Sequence, residues 1–70
     1  MESTYKIVEL VGSSPESWEK AAHVALTEAR KSLRDLRIAE VAQLDIHLDD
    51  DGEIVAYRTK LKVSFKYQGN

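Results

Sequence analysis

The chain has 70 residues, which is enough for one small domain and leaves no room for a second. It contains no cysteine, so disulfides and thiolate metal sites are excluded. A net charge of −2 argues against a general nucleic-acid-binding protein, and no apolar run approaches the roughly 20 residues of a membrane span. The opening residues, MESTYKIVEL, lack the layout of a signal peptide. We therefore expect a cytoplasmic protein without nucleic-acid or membrane partners.

The first half of the chain predicts a strand followed by a helix. Residues 5–12 are rich in Tyr, Ile and Val and end at a glycine, as strands often do. We place the helix at residues 15–35, with Ser14 as its N-cap and Pro15 as its first residue. Apolar residues then recur at steps close to 3.5, which predicts an amphipathic helix: Trp18, Ala22, Ala25, Ala29, Leu33 and Leu36. We interpret Trp18 as an anchor of the core or of an interface.

The second half predicts a hairpin of strands 37–48 and 54–67 around Asp51-Gly52, a strong signal for a two-residue type I′ turn. Centring the turn there gives one polar face and one apolar face. The polar face pairs His47–Ala56, Asp45–Arg58 and Gln43–Lys60, and the apolar face pairs Leu48–Val55, Ile46–Tyr57, Leu44–Thr59 and Ala42–Leu61. The alternation fails where Glu40 would face Val63, which predicts a bulge near Glu40.

The length of the last strand predicts association with other chains. Fourteen extended residues span about 46 Å, whereas a compact domain of 70 residues has a radius of gyration of about 11 Å. The far end of this strand must therefore pack on neighbours, unless the strand bends sharply. A domain of this size also buries only about 60% of its unfolded surface and needs a supplement to its core. We expect a homo-oligomer.

Two segments, GSSPESW near the first strand and AYRTKLKVSFK at the end, carry a specific resemblance to the dodecin family. The match runs from Tyr5 to Lys66. It implies an α+β fold, β-α-β-β, in which a three-stranded antiparallel sheet wraps around one helix, in a single domain of residues 1–70. It also implies a hollow shell of twelve identical subunits with 23 symmetry. Most members of the family bind flavins and store them, and they are not enzymes.

Three positions that bind flavin in the family differ in this chain. Ile38 stands where the family has a tryptophan that stacks on the flavin ring, and an isoleucine offers no aromatic face. Arg58 replaces a glutamine that bonds the ring edge, and Asp45 replaces an arginine suited to a phosphate. These changes argue against the usual mode of flavin binding. The chain is more similar to a tryptophan-less branch of the family that is associated with calcium.

Carboxylates favour Ca²⁺, which takes six to eight oxygen ligands. The candidate ligands are Asp45 and the acidic turn, which we define as Asp49, Asp50, Asp51 and Glu53. The turn does not have EF-hand spacing, and a plain solvated turn is the simpler interpretation of one chain. A symmetric shell could nevertheless gather several such turns into one site.

The positions that the resemblance brings together raise a geometric question. Asp45 and Arg58 form either an exposed cross-strand pair or one wall of a polar pocket. The predicted register places Ile38 and Arg58 on opposite faces of the sheet. Either the bulge reverses the face, or the pocket combines residues of different subunits.

Catalysis has no candidate constellation in the sequence. Ser13, Ser14 and Ser17 have no recognisable base, and His23 and His47 do not have the spacing of paired metal ligands. We therefore expect a protein that is not an enzyme: a shell that binds or stores a small ligand or ion. The alternatives are a flavin-storing dodecin and a calcium-binding or purely structural scaffold.

Overall fold

The computed structural model describes residues 2–67, which form one helix and a three-stranded antiparallel sheet. The elements are β1 (Tyr5–Ser14), α1 (Trp18–Ser32), β2 (Leu36–Leu48) and β3 (Ile54–Lys66). Strand β3 lies in the centre, with β1 and β2 on either side. The predicted α+β class and β-α-β-β order are confirmed. Among the described residues, no helix has the length and apolarity that crossing a bilayer requires.

The core lies between α1 and the two strands β1 and β3. The helix presents Ala21, Ala25 and Ala29 to the sheet, and all three are buried. Small side chains let a helix lie close to a sheet, and here α1 and the sheet come into close contact at Gly12 of β1. A Cβ atom on Gly12 would lie 1.9 Å from the carbonyl oxygen of Ala21. The predicted alanine stripe is confirmed at Ala25 and Ala29.

The helix begins three residues later than predicted. Its N-cap is Ser17, whose hydroxyl accepts a hydrogen bond of 3.0 Å from the Lys20 N–H. Ser14 is instead the last residue of β1, where it is buried and pairs with the central strand. The serine preceding Pro15 therefore continues the sheet, because pairing with β3 competes with capping at that position. Ser14 and Ser17 could both cap the helix by their chemistry. Ser17 is the cap because Ser14 is held in the sheet by its pairing with β3.

The helix also ends earlier than predicted, at Ser32 rather than at residue 35. The N–H of Leu33 makes the last bond of the helix, to the carbonyl of Ala29. Asp35 then adopts a positive φ of 58°, a left-handed conformation that Asp tolerates better than most residues. This turn directs the chain into β2, so Leu36 belongs to the sheet.

The hairpin turn has three loop residues and is not of type I′. The Asp49 N–H donates to the Glu53 carbonyl at 2.9 Å, and the Gly52 N–H donates to the Asp49 carbonyl at 3.0 Å. Gly52 has φ 81°, and Asp51 is not among the positive-φ residues of the described chain, although type I′ requires both. Val55 is left without a partner, since His47 pairs with Ala56 and Leu48 with Ile54. This extra residue restores the predicted register beyond the turn.

The predicted register is confirmed through the middle of the hairpin, for His47–Ala56, Ile46–Tyr57, Asp45–Arg58, Leu44–Thr59 and Gln43–Lys60. The bulge lies at Ala42, two residues from the predicted position, and a second irregularity occurs at Arg37. Because of the bulge, Val41 faces Leu61 in place of Ala42, and Glu40 faces Lys62 rather than Val63. The residues of β2 that precede the bulge therefore lie on the opposite face of the sheet from the one predicted.

Helix α1 leaves much of β2 uncovered. Of its apolar residues, Val41 is 55% exposed, Leu44 is 48% exposed and Ile46 is also exposed. The chain is elongated, with principal extents of 52 × 20 × 16 Å and a radius of gyration of 14.4 Å, against about 11 Å for a compact domain of this length. The single chain therefore has an apolar sheet surface that it does not bury itself.

Candidate functional site

The sheet has an inner face, towards α1, and an outer face, away from it. Thr59 belongs to the inner face, since its hydroxyl donates to the carbonyl of Trp18 at 2.8 Å. Strand β3 pairs with β1 without interruption, so its side chains alternate regularly between the two faces. Arg58, Lys60, Lys62 and Ser64 consequently lie on the outer face. Their partners on β2 across the sheet are Asp45, Gln43, Glu40 and Ile38.

Asp45 and Arg58 form a two-point ion pair on the outer face. The Nε of Arg58 donates to Oδ1 of Asp45 at 2.7 Å, and Nη2 donates to Oδ2 at 2.8 Å. This parallel arrangement is the strong geometry for a guanidinium and a carboxylate. It lowers the pKa of Asp45 below its ordinary value and raises the pKa of Arg58, chiefly through these hydrogen bonds. Both carboxylate oxygens of Asp45 are therefore already bonded within the chain.

The lowered pKa of Asp45 predicts a pH-dependent contribution to stability. A carboxyl group whose folded pKa is depressed stabilises the fold above its unfolded pKa, near the ordinary value of 3.8. That contribution is lost as the pH falls through the folded pKa. We expect Asp45→Asn to lower the melting temperature slightly and equally from about pH 8 to about pH 5. The difference from the unmodified protein should shrink as the pH falls below about 4 and through the lowered pKa of Asp45.

The matched control is Asp50→Asn, which removes an exposed carboxylate without an ion-pair partner in the described part of the chain. Melting curves across the same pH range should show no comparable change for this variant. A difference for Asp45→Asn that does not decrease at all below about pH 4 would contradict the assignment of the ion pair.

Ile38 lies on the same face as Asp45 and Arg58, because the bulge at Ala42 reverses the face of β2. It is 68% exposed, pairs with Ser64, and has Ile7 of β1 on the other side of Ser64. Ser64 lies six residue steps beyond Arg58 on β3, a distance of about 20 Å along the strand. Within one chain, one flat ring system cannot touch both ends of this face.

The acidic turn is folded by one of its own carboxylates. Oδ1 of Asp49 accepts hydrogen bonds of 2.9 Å from the N–H groups of Asp51 and Glu53. This leaves Asp50, Asp51 and Glu53 exposed at the tip of the hairpin. No group of three or more acidic or histidine side chains is arranged around a common point within residues 2–67. The turn alone is therefore not a formed metal site.

The sequence did not predict that the side chain of Trp18, on the inner side of the sheet, forms a hydrogen bond with the backbone of Asp45. The indole Nε1 of Trp18 donates to the backbone carbonyl of Asp45 at 3.1 Å. Its ring also packs edge-on against Tyr57, with ring centroids 5.1 Å apart. Trp18 thereby fixes the start of α1 to β2 at the residue that bonds Arg58. The position of Trp18 near the start of the helix indicated an anchoring residue, but it did not indicate which residue it contacts.

The family model of dodecins matches residues 4–68 of the chain. The chain belongs to the dodecin family. It is 48% identical over 64 residues to the calcium dodecin of Mycobacterium tuberculosis, covering 91% of this chain and 89% of that protein. It is 40% identical over 68 residues to the dodecin of Thermus thermophilus, covering 97% of each.

The solved structures agree with the sequence comparisons. The crystal structure of the calcium dodecin of M. tuberculosis, a calcium-chelating antigen described with a novel calcium-binding site, superposes on this chain with a TM-score of 0.84. The two are 46% identical, and the match covers 97% of this chain and 96% of that one. In this dodecin, Asp45 and Arg58 lie together, whereas Ile38 lies at the other end of the outer face.

Proposed function

We propose that this dodecin is a non-catalytic homododecameric shell of 23 symmetry that binds Ca²⁺ and lacks the usual flavin clamp. The observation that carries the proposal is the ion pair between Asp45 and Arg58, which occupies two of the three altered flavin positions. With both groups bonded to each other and Ile38 at the third position, these three positions provide neither an aromatic clamp nor an unpaired guanidinium group. The similarity to a calcium dodecin supports calcium as the alternative ligand.

The uncovered surface of β2 supports assembly. Val41, Leu44 and Ile46 expose apolar area on the inner face that α1 leaves uncovered. Monomeric proteins rarely leave a contiguous apolar surface of this kind open to water. Burial against further copies of the chain would remove it and would supplement the small core of a 70-residue domain.

The acidic turns are the proposed calcium ligands. Three exposed carboxylates, those of Asp50, Asp51 and Glu53, lie at the hairpin tip of every subunit. One turn offers fewer ligands than the six to eight that Ca²⁺ takes, so a complete site has to combine turns of several subunits. Asp49 would hold the turn in shape through its bonds to backbone N–H groups. Asp45 remains a candidate ligand, but a cation there would have to displace Arg58.

Calcium that binds the folded shell and not the unfolded chain must raise its thermal stability. At a concentration of 100 times Kd, the gain is about 2.7 kcal/mol per site. We expect a higher melting temperature in millimolar calcium than in chelator at the same ionic strength. Asp50→Asn combined with Asp51→Asn should abolish the difference.

The matched control for this experiment is Glu2→Gln combined with Glu16→Gln, which removes two exposed carboxylates outside the turn. This control should keep the full response to calcium. Identical curves with calcium and with chelator, together with no calcium in elemental analysis, would contradict calcium binding and leave a structural scaffold.

The altered outer face predicts weak interaction with flavins. Purified protein should be colourless, and added riboflavin should keep most of its fluorescence, because Ile38 cannot stack on the ring. Ile38→Trp restores an aromatic face at an exposed position and should increase quenching, whereas Ile38→Leu should not. Tight binding of riboflavin or FMN by the unmodified protein, measured by fluorescence titration, would instead support a flavin store.

A further inference from the structure

A groove between the second half of α1 and the start of β2 combines apolar side chains with two arginines. Its volume is about 280 Å³, close to the lower end of small-ligand pockets, roughly 300 Å³. Leu26, Leu36 and Val63 supply apolar walls continuous with the core. Arg30 from the helix and Arg37 from β2 also line it. We name this the arginine groove.

The charges around the arginine groove have one sign. Its remaining polar side chains are His23 and Thr27, and none of the described residues that line it is Asp or Glu. Neither Arg30 nor Arg37 forms an ion pair with another side chain between residues 2 and 67. This is unlike Arg58, which is neutralised by Asp45. Two guanidinium groups beside an apolar wall therefore have no anionic partner from the described chain.

A second groove of similar size provides an internal comparison. It lies at the other end of α1, has a volume of about 310 Å³, and is lined by Trp18, Ala22, Val41 and Leu44. Its charged residue is Glu19, an acid. These two apolar grooves therefore differ in charge: the arginine groove carries positive charge and the second groove carries negative charge. The arginine groove is the one that matches an anion.

We propose that the arginine groove binds a small organic anion: a carboxylate, sulfonate or phosphate attached to a compact apolar body. Guanidinium groups bind such anions through paired N–H donors, while the leucine and valine side chains bury the apolar part. The groove opens on the inner side of the sheet, and Ile38 borders it where β2 forms the sheet edge. Asp45, Arg58 and the acidic turn do not line it, so this proposal does not depend on calcium.

The test is calorimetric titration of the assembled protein at pH 7.5 with 2-naphthoate, using the neutral 2-naphthalenemethanol as the uncharged probe. We expect saturable binding of naphthoate, and at least tenfold weaker binding of the neutral probe. Arg30→Gln combined with Arg37→Gln should weaken naphthoate binding at least tenfold. Ala39→Leu, which narrows the groove without changing its charge, should weaken both probes.

The matched control is Arg34→Gln, which removes an exposed positive charge just after the end of α1 and is not among the residues that line the groove. It should bind naphthoate within twofold of the unmodified protein. The proposal is overturned by an absence of saturable binding to the assembled protein. It is equally overturned if the double variant keeps the original affinity, or if Arg34→Gln weakens binding as much as the double variant does.

Discussion

Replacing Leu44 with aspartate should break the shell into single chains or small fragments without unfolding them. Leu44 is 48% exposed on the inner face of β2, so the isolated chain can hydrate a carboxylate there. In the assembly, the same position would bury an unpaired charge, which costs far more than one interface can recover. Light scattering should therefore report a loss of most of the assembled mass, while circular dichroism retains the fold.

The matched control for this prediction is Gln43→Asp, one residue away on the outer face. It introduces the same charge opposite Lys60, where an acid is tolerated. The shell should survive this change. Equal disruption by the two variants would contradict the assignment of the inner face of β2 as the assembly surface.

Replacing Gly12 with alanine should be among the most destabilising single changes in the chain. The new Cβ would lie 1.9 Å from the carbonyl oxygen of Ala21 and 3.0 Å from the Cβ of Ala25. The obstacle is helix backbone, which cannot move aside as the end of a side chain can. Overpacking typically costs about 1–3 kcal/mol and occasionally more, and we expect Gly12→Ala at the upper end of this range. Each kcal/mol lowers the melting temperature of a domain this small by about 4–8 °C.

Gly52→Ala is the control, because it adds the same methyl group where no atom lies within 4 Å. Its cost should come only from the positive φ of 81° at that residue, about 1 kcal/mol. Thermal unfolding should therefore show a much larger loss for Gly12→Ala than for Gly52→Ala. A loss of equal size would contradict the close packing of α1 on β1.

Most of the fold could be predicted from sequence, because its strongest signals are local. The Asp-Gly turn and the alternation from Gln43 to His47 determined the central register correctly. The alanine spacing identified the buried side of the helix at Ala25 and Ala29. Each of these patterns depends only on the period of a helix or a strand.

The errors occurred where tertiary pairing overrides local preference. Ser14 has the chemistry of an N-cap but belongs to β1, because its backbone completes the pairing with β3. The turn has three loop residues instead of two, which shifts the pairing of Leu48 by one residue, to Ile54. The unpaired residue Val55 then restores the register that a type I′ turn would have set. The loss of polar and apolar alternation near Glu40 predicted a bulge in β2. The same pattern does not determine which residue is bulged, and the structure places the bulge at Ala42.

The sequence could indicate which residues belong to the candidate site, but not how they are arranged relative to one another. Asp45 facing Arg58 followed from the register, and the structure shows both oxygens of Asp45 bonded to Arg58. That Ile38 shares their face follows only from the bulge, since one extra residue exchanges the two faces of a strand. The support that Trp18 gives to the Asp45 carbonyl depends on a contact 27 positions away, which periodicity cannot reveal.

Native mass spectrometry of protein purified in calcium tests the proposed function most directly, because one spectrum reports both subunit number and bound metal. We predict an assembly of twelve copies of the 7.9 kDa chain that retains calcium and loses it after chelation. The double variant Asp50→Asn and Asp51→Asn should give the same assembly without the metal. A spectrum dominated by single chains, or a dodecamer with no calcium under any condition, would contradict the account of a calcium-binding shell.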